Sequence, residues 1–354
     1  MGTSTAVAIS ASESTARIPK MAQTDEPLEP FTVHLLRSLS AATRMLRASP
    51  LDCTRVKRSS CIARLTSLHR IERRAPKTLA DVGSPADLID LDRYPIGTVR
   101  AGSVAAPLRA SLAERGVALL PGFLEPEAVA AFAAETQHLV PRAHREDCSG
   151  TPYLGLPEES YPDGHPRRTT VQSVTWVIAY DLIPTDSLVR ALYEWDPLKD
   201  FLAEVIGRGP LCRFADPLGA VNLTSMVAGD VQGWHYDSTD FVVSIGIQSS
   251  RSGGDFECAK AIRSAADENY DAVARVLRGD GAELVEVLPL TPGTLMVFEG
   301  RNSLHRVSPV VGDVPRAVAL FAYDTRPDTN SSDLLKLVRY GRTEAIAPAP
   351  WGAL

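Results

Sequence analysis

The stretch that decides the fold is residues 233–248, "GWHYDSTDFVVSIGIQ". His235 and Asp237 stand two apart, and an alternating apolar run follows them. On a strand, residues two apart point to the same face. One face would therefore carry an imidazole and a carboxylate together. Such a pair is weak evidence on its own, because seven histidines and many acids make a chance H-x-acid expected. His144 and Glu146 form a second pair, but in a Pro/Gly/His/Arg-rich stretch without strand texture.

The surrounding chain gives the pair its context. From about residue 211, short strand-like runs follow one another, divided by turn residues: "AVNLTSMVA", "DFVVSIGIQ", "GGDFECA", "LVEVLPL", "GTLMVFEG", "HRVSPVV" and "RAVALFAYD". The helical "IRSAADENYDAVARVLRGD" interrupts them and should end at Gly279. Before 211 the texture is mostly helical. "GVALLPGFLEPEAVAAFAAET" reads as a strand at Val117–Leu120, a Pro-Gly turn and an acid-led helix. "TWVIAYDLI" reads as a strand, and "DSLVRALYEWDPLKDFLAEVIG" as one or two helices. Residues 141–170 read as a long functional loop. The expected class is α+β: many antiparallel strands closed into a barrel or sandwich, flanked by helices.

Composition excludes several function classes. The chain has 354 residues, 44% hydrophobic and 23% charged, which suffices for a sizeable core. The formal charge of -6 argues against nucleic acid or an anionic membrane as the main partner. No apolar run is long enough to span a bilayer. Five scattered cysteines, with no C-x-x-C, fit unpaired thiols in a reducing compartment. Residues 33–74 carry ten Arg/Lys and only Asp52 and Glu72 as acids. That composition is like a mitochondrial transit peptide, although Asp25, Glu26 and Glu29 precede it. The expectation is a poorly ordered basic extension over 1–78 and a cytoplasmic protein, with mitochondrial targeting as the alternative. A folded domain follows over 79–335, with a helical part at 79–210 and a β core at 211–326. Residues 336–354 read as a C-terminal tail.

Two imidazoles and a carboxylate on one face would leave open positions on an octahedral iron(II) ion for a chelating cosubstrate and oxygen. His235 and Asp237 supply two of these groups. His305, in "GRNSLHRVSPV", is the candidate for the third, 70 residues after His235. Alone it would read as a structural strand-end histidine. Arg316 follows eleven residues later. Alone it would be a solvated arginine, and Arg301 and Arg306 compete with it. Trp234 reads as core.

The order H-x-D, a long interval, His, then Arg resembles the iron(II)/2-oxoglutarate-dependent oxygenases, from about Gly116 to Arg326. The resemblance implies a double-stranded β-helix (jelly-roll) core. It also implies iron(II) on His235, Asp237 and His305, and Arg316 on the far carboxylate of 2-oxoglutarate. Oxygen would be the oxidant, and ascorbate an aid. A guanidinium fits that role because it grips a carboxylate with two hydrogen bonds. "ADPLGAVNLTSMVAGDVQGWHYDSTDFVVSIGIQ", "IRSAADENYDAVARVL" and "VALFAYDTRP" resemble a narrower branch, the free-amino-acid halogenases and their hydroxylase relatives. The halogenases carry glycine where this chain has Asp237, so the resemblance points to a non-halogenating member. The fungal aziridine-forming enzymes belong to the same wider chemistry.

The implied activity is oxidation of an unactivated C–H bond of a small free amino acid, giving hydroxylation. Oxidative cyclisation of a valine-like substrate, or desaturation, is the alternative. Strand alternation from Arg316 brings Val318, Leu320 and Ala322 to one face. Leu320 and Ala322 suit an aliphatic substrate side chain, but also read as plain core. Arg168 is the expected cation for the substrate carboxylate. Asn222 and Thr224 are polar positions able to face the site. The rival classes are a cupin-type metal enzyme without 2-oxoglutarate, a non-catalytic binding protein, and an oxygenase acting on protein or nucleic acid. A nucleic-acid substrate would call for a basic groove that the chain does not show. The sequence leaves the oligomeric state open.

Overall fold

The computed structural model describes residues 76–354. The expected extension over 1–78 lies almost wholly outside the described residues. Seven helices stand among the described residues: α1 (Leu79–Val82), α2 (Ala101–Arg115), α3 (Pro126–Leu139), α4 (Leu188–Glu194), α5 (Asp196–Ile206), α6 (Tyr270–Arg278) and α7 (Asp333–Tyr340). None of them is long and apolar enough to cross a membrane.

An 11-stranded antiparallel sheet forms the centre. Its strands are β1 (Val117–Leu120), β2 (His144–Gly150), β3 (Val171–Ile178), β5 (Val221–Met226), β6 (Gln232–His235), β7 (Val242–Gln248), β9 (Phe256–Ala259), β10 (Glu286–Leu288), β11 (Leu295–Phe298), β12 (Leu304–Val307) and β14 (Arg316–Phe321). The order is β1-β11-β7-β14-β5-β3-β6-β12-β9-β10, with β2 on β3. Two small ribbons pair β4 (Cys212–Arg213) with β15 (Tyr323–Asp324), and β8 (Ser252–Gly253) with β13 (Val310–Val311). Sequence neighbours are mostly not sheet neighbours. Such crossing connections curl the sheet into the jelly-roll of a double-stranded β-helix, the α+β class expected.

The period-two pattern separates the two faces of this sheet. Val221 and Leu223 of β5, Val243, Ile245 and Ile247 of β7, and Ala317, Ala319 and Phe321 of β14 join the main core. They pack with Phe132 of α3, Leu198 and Leu202 of α5, and Leu192 of α4. The alternate residues on the same strands face the inside of the curl. There the register pairs Arg316 with Met226, Val318 with Thr224 and Leu320 with Asn222. The helices thus bury one face of the sheet and leave the other to form a pocket.

Three expectations are corrected. Residues 144–150 are not loop but the strand β2, in continuous register with β3 from His144↔Val177 to Gly150↔Val171. β2 pairs with β3 alone, so its "HREDCSG" carries little of the apolar alternation that marks a half-buried strand. The helical label on 79–210 is too narrow: β2 joins β1 and β3, the strands read at Val117–Leu120 and in "TWVIAYDLI", in the sheet. The division at 335/336 falls inside α7, so the last residues begin within a packed helix rather than a tail.

Candidate metal centre and its pocket

β6 and β12 bring the candidate ligands together. The two strands pair His235 with His305 directly, and the imidazole centroids lie 4.2 Å apart. Asp237 follows β6 at once. Its backbone N–H donates to the Gly300 carbonyl at 3.1 Å, which fixes the turn beyond the strand. Asp237 Oδ1 lies 3.8 Å from His235 Nε2, and Oδ2 lies 3.5 Å from His305 Nε2. One donor atom from each residue falls within 4.8 Å of the others, and no other such group occurs among the described residues.

The tautomers follow from the backbone. His235 Nδ1 is 2.8 Å from the Gly233 carbonyl, and His305 Nδ1 is 2.9 Å from that of Ser303. A carbonyl only accepts, so each Nδ1 carries the proton and each Nε2 keeps its lone pair. Both lone pairs point toward Asp237. Gln232 Nε2, an amide donor, lies 3.3 Å from His235 Nε2. Burial, with His305 beside it, pushes the His235 imidazole down to about 4, so it is neutral. Burial also disfavours charge on His305 and Asp237, but their mutual attraction prevails. The His305 pKa rises and that of Asp237 falls. Two imidazoles oriented by backbone carbonyls, plus one carboxylate, are the donor set a divalent iron ion takes once it displaces any proton from Nε2.

Behind the ligands the packing is aromatic. Phe256 stacks on His305 at 5.4 Å, and Phe298 meets the same ring edge-on at 5.0 Å. Phe256 also lines a pocket open to solvent. Its other walls come from Thr175, Thr224, Met226, Gln232, Ser244, Leu290, Val307, Arg316, Val318, Leu320 and Arg339.

Arg316 is 8% exposed. Among the described residues it makes no side-chain hydrogen bond or ion pair, and burial pushes its guanidinium down to about 10. Its competitors are engaged elsewhere. Arg306 pairs with Glu257 at 2.8 Å and lies over the Trp234 ring at 4.7 Å, and Arg301 pairs with Asp240. Trp234 itself belongs to a satellite core with Tyr236, Ile262 and Leu304.

The expected substrate contacts divide. Thr224 and Leu320 line the pocket, and Thr224 Oγ1 also donates to the Val318 carbonyl at 3.3 Å. Ala322 lies past the end of β14 and is not in the lining; its carbonyl accepts from Tyr193 Oη at 2.9 Å. Arg168 is also outside the lining. It donates to the Tyr161 carbonyl at 2.9 Å and pairs with Asp163 at 3.1 Å, holding its own loop together. Asn222 shares its face with Leu320, but its amide is fully used. Nδ2 donates to the carbonyls of Leu218 and Val221. Oδ1 accepts from Tyr340 Oη at 3.0 Å and lies 3.4 Å from Arg339 Nη2.

The second cation of the pocket is Arg339, from α7. Its Nη1 lies 3.7 Å from Glu146 Oε2. The second H-x-acid pair thus acts at the docking of this helix. Glu146 faces Arg339, and the ring of His144 lies against Gly341, where a Cβ would meet it at 2.7 Å. Lys336, one turn earlier, lies 3.8 Å from the buried Asp216. Two residues with a bearing on the site, Arg339 and Gly300, were not expected from the sequence. A Cβ at Gly300 would run into the carboxylate of Asp237.

With two histidines and an aspartate gathered on a curled antiparallel sheet beside a pocket, the chain is an iron(II)/2-oxoglutarate-dependent oxygenase, and so an enzyme. Residues 101–336 match the family model "HalD: Halogenase D", and the chain belongs to that family. No curated protein matches it. Among solved structures it is similar to the epimerase SnoN in complex with Fe3+, alpha ketoglutarate and nogalamycin RO (15% identity, 70% of this chain and 95% of that one, TM-score 0.46). It is also similar to a Pseudomonas putida prolyl-4-hydroxylase (14% identity, 63% and 99%, TM-score 0.40). A third is EctD from S. alaskensis (15% identity, 70% and 88%, TM-score 0.42).

Proposed function

We propose that this enzyme oxidises an unactivated C–H bond of a small free amino acid, with an aliphatic side chain preferred, and that the product is hydroxylated. His235, Asp237 and His305 would hold iron(II), and Arg316 the far carboxylate of 2-oxoglutarate. The observation that carries the reading is Arg316. A buried guanidinium without a partner among the described residues, in the pocket next to the His-Asp-His group, is a site for an anion. A cupin-type enzyme without 2-oxoglutarate, or a binding protein without turnover, has no use for it.

With oxygen, bound iron(II) and 2-oxoglutarate supply an oxidant able to remove hydrogen from a C–H bond. The chain does the rest. The Gly233 and Ser303 carbonyls hold both imidazoles in the tautomer that offers Nε2. Arg316 grips a carboxylate by two parallel hydrogen bonds and so fixes the cosubstrate's direction. Phe256, Phe298 and Val307 keep the floor of the site apolar. Val318 and Leu320 give the substrate an aliphatic wall. Asp237 supplies the anionic donor where a halogenase relative would leave room for halide, which favours hydroxylation over halogenation. Leu320, partly exposed in that wall, also suits oxidative cyclisation of a valine-like substrate or desaturation.

Anaerobic addition of iron(II) and 2-oxoglutarate should give a weak visible charge-transfer band. Folded protein without that band would overturn the cofactor assignment. Succinate release should then rise with a free aliphatic amino acid. No stimulation by any free amino acid would overturn the substrate class, and mass analysis of the product distinguishes addition of oxygen from loss of two hydrogens.

A further inference from the structure

We infer that Arg339 and Glu146 together form the receptor for the substrate's own charges, the guanidinium taking its carboxylate and Glu146 its ammonium. This rests on the reading of the pocket as an amino-acid oxidation site. The pocket lining contains two cations at different places. Arg316 begins β14. Arg339 reaches in beside Asn222, which the register sets opposite Leu320, four residues further along the same strand. At a rise of about 3.3 Å per residue, those strand positions are roughly 13 Å apart. A cosubstrate gripped at Arg316 and chelated beside His235 therefore leaves the Arg339 end free for a second anion.

Arg339 has donors to spare. A guanidinium offers five N–H groups. Its approaches to Glu146 and Asn222, at 3.7 Å and 3.4 Å, are long for hydrogen bonds. The side chain is nonetheless held in place, because α7 is fixed through Tyr340 on Asn222 and Lys336 near Asp216. Glu146 is equally underused: among the described residues its one further hydrogen-bond contact is the Cys148 thiol at 3.8 Å. Its register partner on β3 is Thr175, which lines the pocket, and residues directly opposite on paired strands share a face. The site thus offers a buried carboxylate and a half-buried guanidinium side by side, charge-balanced before and after a zwitterion arrives. A ligand with one charge would leave one of the two facing an unpaired group, which is costly out of water.

The test follows the iron(II)/2-oxoglutarate band of the full chain under anaerobic conditions while each common L-amino acid is titrated. The best binder is then compared with its methyl ester and its deaminated acid. Both analogues should bind at least about tenfold more weakly, as expected when a buried charge loses its partner. Arg339→Met should lose amino-acid binding by a similar factor yet keep the band and its 2-oxoglutarate dependence. Glu146→Gln should narrow the gap between the amino acid and its deaminated acid. Equal binding of the analogues to the wild type overturns the inference. So does an Arg339→Met protein with normal amino-acid affinity, or a wild-type band that no amino acid perturbs. If a variant fails to fold, the analogue series on the wild type still decides. A wild type that forms no band at all refutes the oxygenase reading instead, a distinct outcome.

Discussion

Gly300 and Asp237 are fitted to one another: the Gly300 carbonyl accepts the Asp237 N–H at 3.1 Å, and the space a Cβ would need at 300 is filled by the Asp237 carboxylate. Gly300→Ala should therefore displace the carboxylate while leaving the fold intact, since the backbone there is ordinary for alanine. We expect about a 10–100-fold loss of iron affinity, the usual cost of disturbing a group that orients a ligand. Titration of iron(II) followed by the charge-transfer band checks this. An alanine variant with unchanged affinity would show that the carboxylate is not a ligand.

Arg316→Met should separate stability from function. The wild-type guanidinium is buried and, among the described residues, unpaired, so replacing it with a flexible apolar chain should leave the protein as stable or raise stability by about 1–2 kcal/mol. The same change should abolish stabilisation by 2-oxoglutarate. Thermal unfolding of both proteins, with and without 2-oxoglutarate and a redox-inert divalent ion, measures the two effects together. A clearly destabilised variant that still responds to 2-oxoglutarate contradicts the assignment.

Asp237→Gly should end the native turnover and weaken iron binding, because the one anionic donor of the group is gone. Chloride is an anion small enough to take its place, so iron affinity should partly recover as chloride replaces a non-coordinating anion. Band intensity against chloride concentration gives the answer, and chlorinated product would show that halogenation is latent. Insensitivity to chloride would mean that the vacated space is not an anion position.

Glu135 gives a pH-dependent prediction away from the pocket. Its buried carboxyl lies 2.6 Å from Ser187 Oγ and 2.7 Å from Leu188 N at the start of α4. Burial, opposed by those bonds, pushes it up to about 7 from 4.5. Between those values the folded chain holds a proton that the unfolded chain has released, so stability from this group falls as pH rises. The displacement corresponds to roughly 3 kcal/mol. The stability difference between wild type and Glu135→Gln should shrink by that order from pH 4.5 to pH 7 in urea titrations. A difference that is flat or grows over this range refutes it.

Much of the metal group was legible because one kind of geometry fixes it. Residues 235 and 237 share a locality, and His305 lies directly across from His235 on a paired strand, so a linear order of residue types reports a spatial cluster. The alternation along β14 likewise put Arg316, Val318 and Leu320 on the inner face. It stopped at Phe321, where the strand ends, and so Ala322 fell outside. Arg168 was chosen for its place ahead of a strand, but exposed Asp163 holds it. Arg339 gave no signal, because its approach depends on a helix folding back across 117 residues to Asn222. Glu146 was read only as half of a second H-x-acid pair in a loop, because a strand of mixed polar residues has no period to read.

The fastening of α7 to β2 and β5 has an evolutionary consequence. The residues that gather the metal group lie within 235–305, whereas the guanidinium beside Asn222 comes from a helix added after the last strand. On the proposed reading of Arg339, part of the choice of molecule is written outside the stretch that gathers the His-Asp-His group. Drift within residues 333–341 would then alter what is accepted while sparing that group.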